Sequence, residues 1–146
     1  MKRFEDRISI NAPAGRVFDY VADFTRHGEW AGHGLEVAQS GEGPVTVGST
    51  FSTTAKQLGT QREQSTITEI TPRKAFGWDS TGALGRIHHW FTVTEDGGST
   101  TLTKGAELVA PTFLGKITGW RISKGIPQGL HSDLANIKNH LEPSSD

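Results

Sequence analysis

The sequence predicts an α+β fold in which a curved antiparallel sheet of six to seven strands packs around a long C-terminal helix. Strand-like runs are grouped in the middle of the chain, whereas helical periodicity occurs near both ends. Asp96-Gly97-Gly98 lies between two alternating runs and is a strong hairpin signal. Because the other connections are also short, the strands are expected to form an antiparallel meander.

The first elements are a strand and two short helices. Ile8 and Ile10 alternate with polar neighbours, which predicts a short half-buried strand. Pro13 suits a first helical turn, and the apolar residues after it recur at helical spacing, so an amphipathic helix is expected over about 13–23. A second short helix or turn is expected over 24–30, because glycines interrupt the chain beyond it.

The middle of the chain is rich in Thr, Val, Ile and Phe, which favour strands. Runs that alternate apolar and polar residues are separated by Gly, Pro and Asp. Strands are predicted at 35–37, 49–57, 61–71, 75–80, 86–94 and 99–109.

The last segment predicts the long helix. An apolar stripe of four turns indicates a firm helix over 128–141, and its members are Leu130, Leu134, Ile137 and Leu141. Pro127 has a glycine on either side within two residues, so a kink or break is expected there. Since this is the only predicted element long enough to cover the sheet, a cavity is expected between the two. The length of 146 residues predicts one domain, 1–146.

Composition excludes several classes of function. The net charge is −1 and no basic run occurs, so electrostatic capture of nucleic acid or of an anionic membrane has no support. The chain has no cysteine, which excludes disulfides, thiolate catalysis and cysteine-ligated zinc. Neither a secretory signal nor a run of ~20 apolar residues is present, so a soluble, cytoplasmic protein without stable membrane insertion is expected.

Several segments carry a resemblance to a known family. Residues 8–13 (Ile-Ser-Ile-Asn-Ala-Pro) and the following 16–23 are similar to the opening of the polyketide cyclase/dehydrase group of the START-like (SRPBCC, helix-grip) superfamily. In 27–30 (His-Gly-Glu-Trp) Gly28 replaces a proline that the family usually has. The family pattern is also matched at 69–72, 85–98 and 133–138.

The resemblance covers nearly the whole chain and implies the helix-grip fold, but it leaves function open because the superfamily holds cyclases, lipid carriers, hydrolases and stress proteins. We expect binding of a small hydrophobic molecule, lipid-like or aromatic and polyketide-like, in the internal cavity. The alternatives are a cyclase/aromatase-type enzyme using the same cavity and, more weakly, a protein-interaction or co-chaperone module. No catalytic, phosphate-binding or dinucleotide-binding motif is present, and no cofactor and no metal site are predicted.

Strand alternation selects the candidate binding residues, because side chains two apart share a face. They are Trp30, Phe51, Thr53, Phe76, Trp78, His89, Phe91, Leu130 and Leu134. His89 shares the inward face of its strand and is the candidate catalytic group, as a general base, or otherwise a histidine at the cavity rim. His88 and Trp90 are expected to point outward, and Asp79 to be an outer carboxylate.

Three questions stay open at this point. Either Lys104, which interrupts an apolar face, or Glu107 on the opposite face points inward. Trp30, near His33 and Leu35, is either a gate at the cavity mouth or a packing residue. An apolar cluster ahead of Pro127 is either a lid or a surface for a homodimer, and its members are Phe113, Leu114, Ile117 and Trp120.

Overall fold

The computed structural model describes residues 3–31, 35–56, 60–83 and 85–142, with the backbone alone at 55–56, 60–61 and 120–123. His33 lies outside the described residues, and so does the side chain of Trp120. A 3-10 turn, Phe24–Arg26, connects the first two helices. The helices and strands are β1 (Arg3–Ile10), α1 (Ala14–Ala22), α2 (His27–Ala31), β2 (Glu36–Ser40), β3 (Thr50–Lys56), β4 (Thr60–Thr71), β5 (Ala75–Gly82), β6 (Gly85–Asp96), β7 (Ser99–Pro111), α3 (Phe113–Ile117) and α4 (Gly119–Leu141).

The described strands form one antiparallel sheet in the order β1-β7-β6-β5-β4-β3-β2. Strands β2 to β7 form a meander in which consecutive strands are neighbours, and β1 pairs with β7 at the edge of the sheet. The predicted α+β class, the long C-terminal helix and the two short helices after the first strand are confirmed. Strand ends differ from the predicted ones by a few residues, as hydrogen-bonded pairs extend into the turns.

The hairpin between β6 and β7 has the predicted turn. Asp96 pairs with Ser99, and the two residues between them have positive φ angles, 55° at Gly97 and 93° at Gly98. Glycine adopts such angles without steric cost, which is why this dipeptide indicated a turn. The turn places β7 beside β6 and so puts Lys104 next to Phe91 in the register.

Of the kink or break predicted at Pro127, the break is wrong, because α4 runs from Gly119 to Leu141 with this proline inside it, and the kink stays a prediction. A proline in a helix interior removes one hydrogen bond and costs about 3 kcal/mol. The C-terminal half of α4 is anchored by buried side chains, among them Leu134 at 1% exposure and Ile137 at 0%. Burial of this stripe against the sheet offsets the local cost, so tertiary packing overrides the local preference.

Aromatic rings occupy most of the space between the sheet and α4. The rings of Phe24 and Phe51 lie 4.6 Å apart, and those of Trp78 and Phe91 lie 5.6 Å apart. All four side chains are almost fully buried. The interior is therefore more solid than a curved sheet around one helix predicts, and the space that remains is confined to small pockets.

None of the helices in the described part of the chain is long and apolar enough to cross a membrane.

Candidate ligand pocket between the sheet and the long helix

Two small pockets adjoin each other between the sheet and α4. One has a volume of about 140 Å³ and the other about 160 Å³. Both are lined by His89, Lys104 and Asp133. The smaller pocket is also lined by His27, Leu35, Thr53, Glu63, Ser65, Trp78 and Ser80. The larger one is also lined by Ile87, Ala106, Ile126, Gly129 and Leu130.

The centre of the site is an ion pair between β7 and α4. Lys104 Nζ lies 3.3 Å from Asp133 Oδ2, and the two side chains are 6% and 16% exposed. Lys104 reaches the interior because it shares the inward face of β7 with Leu102 and Ala106, which are buried. Lys104 is therefore the inward residue, and Glu107 on the other face of β7 is only half-buried.

Three aromatic rings surround the Lys104 ammonium group. Nζ lies 5.6 Å from the ring centre of Trp30 and 5.9 Å from those of Trp78 and Phe91. These distances permit cation–π attraction, which partly replaces the lost hydration. Burial lowers the pKa of Lys104 from its ordinary value, while the negative charge of Asp133 opposes that shift.

His89 stands beside this ion pair with a serine partner. Its Nε2 lies 2.9 Å from Ser80 Oγ on the neighbouring strand β5. The imidazole also stacks on Trp78, with ring centres 5.0 Å apart and planes 11° apart. Nδ1 is buried without a hydrogen-bond partner among the described residues. Burial, reinforced by the positive charge of Lys104, holds the pKa of His89 well below its usual value, so the ring is neutral near pH 7.

His27 and Glu63 add two more titratable groups to the wall of the smaller pocket. Burial, with the charge of Lys104, lowers the pKa of His27 to about 3. Its Nδ1 is also buried without a partner in the described residues. The shift at His27 favours its neutral form. Local desolvation raises the pKa of the Glu63 carboxyl, although the residue is exposed to solvent.

The outer face of the same strands is separate from the site. His88 Nδ1 lies 2.6 Å from Asp79 Oδ1, and Arg86 approaches the other carboxylate oxygen at 4.0 Å. Trp90 lies on this face under the guanidinium group of Arg3, 4.5 Å from its ring centre. The predicted outward orientation of His88, Trp90 and Asp79 agrees with these contacts.

The candidate residues divide into two groups. Four of them line the two pockets, namely Thr53, Trp78, His89 and Leu130. The other five are buried in the packed core and are absent from both linings, namely Trp30, Phe51, Phe76, Phe91 and Leu134. Their role as ligand contacts stays a prediction.

Trp30 has the environment of a packing residue. It is 1% exposed, its ring lies 5.4 Å from that of Phe91, and its backbone carbonyl accepts a hydrogen bond from Asn136 Nδ2 on α4. These contacts join α2 to both the sheet and the long helix. A gate at the mouth would need exposure that Trp30 does not have, whereas Leu35 from the same region does line the smaller pocket.

Asp133 and His27 were not predicted as site residues, whereas His89 and Thr53 were predicted and Lys104 was one of two alternatives for the inward position. Asp133 follows Leu130 by three residues and precedes Leu134, so it lies beside the buried stripe of α4, and that position was the available signal. A charge next to an apolar stripe and Lys104 within an apolar strand face together indicate a buried pair. For His27 no such signal exists, because only the tertiary contacts of α2 bring it to the pocket.

No group of three or more His, Asp or Glu side chains that could hold a metal ion occurs in the described ranges. The side chains that line the pocket supply hydrogen bonding, charge stabilisation and the reactivity of an amine, an imidazole and a hydroxyl.

A larger groove lies on the outside of the protein, between α1 and the end of α4. Its volume is about 650 Å³, and its lining includes Arg16, Arg26, Arg73 and His140. The side chains of Arg16 and Arg73 are exposed to solvent. Because water already satisfies exposed charges, the groove has no polar group that needs a ligand, and the interior pocket is the better candidate despite its smaller size.

Comparisons with known proteins agree with the fold and with the resemblance. The family model described as polyketide cyclase/dehydrase and lipid transport matches residues 1–142. No protein with a curated description matches the chain.

Solved structures similar to this chain include three of comparable length. The Zhui aromatase/cyclase from Streptomyces sp. R1128 has a TM-score of 0.79 at 14% identity, covering 96% of this chain and 93% of that one. Protein CV1439 from Chromobacterium violaceum has a TM-score of 0.76 at 14% identity over 99% and 100% of the two chains. TTHA0849 from Thermus thermophilus has a TM-score of 0.76 at 14% identity over 96% and 97%. At these identities the likeness establishes the helix-grip fold alone.

Proposed function

Since the chain belongs to the polyketide cyclase/dehydrase and lipid transport family, we propose that it binds a small molecule with an apolar, preferably aromatic, body and at least one oxygen function. The binding place is the pair of pockets that share His89, Lys104 and Asp133. The apolar body would lie against Trp78 and Leu130, and the oxygen function would meet the Lys104 ammonium group.

One observation carries this proposal: hydrogen-bonding and charged groups converge on a pocket within an otherwise aromatic interior. Burying such groups is costly unless they are paired, and the Lys104–Asp133 pair and the Ser80–His89 pair are each separated by 3.3 Å or less. The buried Nδ1 atoms of His27 and His89 have no partner in the described part of the chain. A ligand oxygen would give such groups a partner.

The volume limits the size of the ligand. An engineered apolar cavity of about 150 Å³ in another protein holds benzene, and pockets for drug-sized ligands have about 300–1,000 Å³. Each pocket here, at about 140 and 160 Å³, fits a single ring with a few substituents. A longer lipid or polyketide chain would have to displace side chains that line the pocket.

Fluorescence and NMR titrations test the proposal. Trp78 lines the pocket, so a hydroxylated aromatic ketone such as 2-hydroxyacetophenone is expected to change tryptophan fluorescence and to shift amide signals of β5, β6 and β7. Ala106→Leu fills part of the larger pocket and should weaken binding about tenfold or more, whereas Ala110→Leu, at an exposed position of the same strand, is the matched control. Unchanged affinity in Ala106→Leu, or no shift with any small aromatic ketone, acid or alcohol, would contradict it.

A cyclase/aromatase-type reaction is the second candidate. Lys104 Nζ beside the hydrogen-bonded Ser80–His89 pair could stabilise the enolate oxygen that forms during an intramolecular aldol closure. One relative in fold, from Streptomyces sp. R1128, is itself described as an aromatase/cyclase. On this proposal His89→Ala abolishes turnover of a polyketide-like substrate and leaves binding nearly intact. Full activity in that variant would contradict the catalytic role proposed for His89.

The family match supports a small hydrophobic ligand. A homodimer is a separate proposal, and it rests on the exposed side chains of α3. Phe113 is 78% exposed, Ile117 55% and Leu114 44%, so three apolar side chains of one short helix face solvent. A second copy of this chain would cover them. Sedimentation equilibrium should then show dimers that Phe113→Ser disrupts, and a purely monomeric protein at high concentration would contradict the proposal.

A further inference from the structure

Lys104 is a buried primary amine that faces open space, and this arrangement suits covalent chemistry. We propose that Lys104 Nζ captures small aldehydes or ketones in this pocket as a Schiff base. The inference rests on the proposed function, because it assigns that ligand a carbonyl group and assigns the pocket a covalent step.

Burial separates Lys104 from the other lysines whose side chains the structure describes. It is 5% exposed, whereas Lys74, Lys116 and Lys124 are exposed and Lys138 is half-buried and hydrogen-bonded to the backbone carbonyl of Ser9 at 2.7 Å. Lys104 also lines both pockets, which leaves room beside it for a bonded ligand carbon. The pKa of a lysine shifts readily on burial, which is the basis of Schiff-base lysines.

The neighbours of Lys104 supply the two functions that imine formation requires. Asp133 Oδ2, 3.3 Å from Nζ, can accept the proton that must leave the ammonium group before the nitrogen attacks. The rings of Trp30, Trp78 and Phe91 enclose the amine and exclude bulk water, which favours a condensation that releases water. Burial also lowers the pKa of the amine, which increases its neutral fraction.

The step balances without an oxidant or a reductant. The nitrogen lone pair forms a bond to the carbonyl carbon while the carbonyl π electrons move to oxygen, and a proton passes from nitrogen to that oxygen through the Asp133 carboxylate. The carbinolamine then loses its hydroxyl group with one proton as water, leaving a carbon–nitrogen double bond to Nζ. Amine and aldehyde thus give imine and water.

We assign to His89 a hydrogen bond to the oxygen of the carbinolamine. If Nε2 accepts the hydrogen bond from the Ser80 hydroxyl at 2.9 Å, the ring proton resides on Nδ1, which has no partner among the described residues. An N–H donor at this place would stabilise the developing oxyanion and the departing hydroxide. His89, which lines both pockets, is therefore a second candidate contact for the carbonyl oxygen.

The test is reductive trapping on the intact protein. The probe is 4-hydroxybenzaldehyde with sodium cyanoborohydride near pH 7, and peptide mass spectrometry then locates each hydroxybenzyl group. Label is expected to form faster at Lys104 than at Lys116, because burial lowers the pKa of Lys104 and so increases its neutral fraction. Lys104→Arg should remove this label and leave the label at Lys116 unchanged.

A further arm needs no protein variant. 4-Hydroxybenzyl alcohol has the same ring but cannot form an imine, so it should bind the pocket and protect Lys104 from the aldehyde without protecting Lys116. If the alcohol binds and Lys104 is labelled no faster than Lys116, the covalent inference is overturned while the binding function stands. If neither compound binds, both are overturned.

Discussion

Lys104 is almost fully buried and Asp133 is partly buried, and each compensates for the charge of the other. Removing one partner of a buried pair leaves the other charge without compensation and typically costs about 3–5 kcal/mol, whereas replacing both by apolar groups is often neutral. The pair therefore adds little net stability, and its mutual compensation is what allows an amine and a carboxylate to lie in this interior.

We therefore predict that Lys104→Met lowers the free energy of unfolding by about 3 kcal/mol. The double variant Lys104→Met/Asp133→Leu should recover most of this loss. Urea denaturation of the two single variants and the double variant gives the coupling energy. Equal instability of the single and the double variant would show that the two charges do not compensate each other.

Position 105, on the outer face of β7, requires glycine because the ring of Trp90 covers it. A Cβ atom at this position would lie 2.0 Å from Trp90 Cε2, and the ring is fixed between Arg3 and His88. Gly105→Ala is accordingly expected to destabilise the protein by about 1–3 kcal/mol, as overpacking does. Thermal unfolding measures the loss.

The control for that prediction is Gly105→Ala in a variant that lacks the Trp90 ring. In a Trp90→Leu background the added methyl group has space, so Gly105→Ala should cost much less there. Additive losses would contradict the explanation.

At the scale of secondary structure, α4 has a weak first half and a firm second half. Gly125, Pro127 and Gly129 are poor helix formers, while the buried stripe lies C-terminal to them. The weak half includes Ile126 and Gly129, which line the larger pocket. Low local stability at a pocket wall favours the side-chain displacement that a ligand larger than one ring would need.

Gly125→Ala is expected to stabilise the protein by about 0.5–1 kcal/mol, because its added Cβ would meet no atom within 4 Å and alanine is the better helix former. Urea denaturation checks the sign. Gly129→Ala has the same open surroundings but lines the pocket, so it should give a similar gain and also alter ligand affinity. Destabilisation by Gly125→Ala would show that α4 needs its flexibility there for folding.

For the whole molecule, two histidines kept neutral by burial make stability depend on pH. The pKa of His27 is lowered from 6.5 to about 3, and that of His89 is lowered well below 6.5. Below pH 6.5 and above the lowered pKa values, the unfolded chain therefore binds protons that the folded protein does not bind. Stability should be fully present above pH 6.5 and should fall as pH decreases toward 3, by up to about 1.4 kcal/mol per pH unit for each histidine.

Glu63 acts in the opposite direction. Local desolvation raises its pKa above 4.5, so its contribution is present below 4.5 and is lost as pH rises through the folded value. Because Glu63 is exposed, this contribution is small. Denaturation between pH 4 and 7 should show a flatter pH profile in His27→Gln and in His89→Gln. His131→Gln, at an exposed side chain, is the control and should leave the profile unchanged. An unaltered profile in the first two variants would contradict the prediction.

Local sequence patterns were sufficient to predict the class of fold. Alternation along β3 to β7, the glycine turn at 97–98 and the stripe from Leu130 to Leu141 each depend on neighbours in sequence, and each is confirmed. The helix is not broken at Pro127, because the local cost of the proline, a few kcal/mol, is offset by burial against the sheet that a local sequence window does not show.

The amino-acid sequence by itself determined the strands, the helices and the inward face of β6 that carries His89. Only the tertiary structure decided that Lys104 points inward, that Asp133 meets it from α4, and that His27 joins them from α2. Side-chain periodicity is a property of one element, whereas the distance between groups 29 or more residues apart follows from how the elements pack. For the same reason the aromatic filling of the interior, which limits the size of any ligand, followed from packing and not from periodicity.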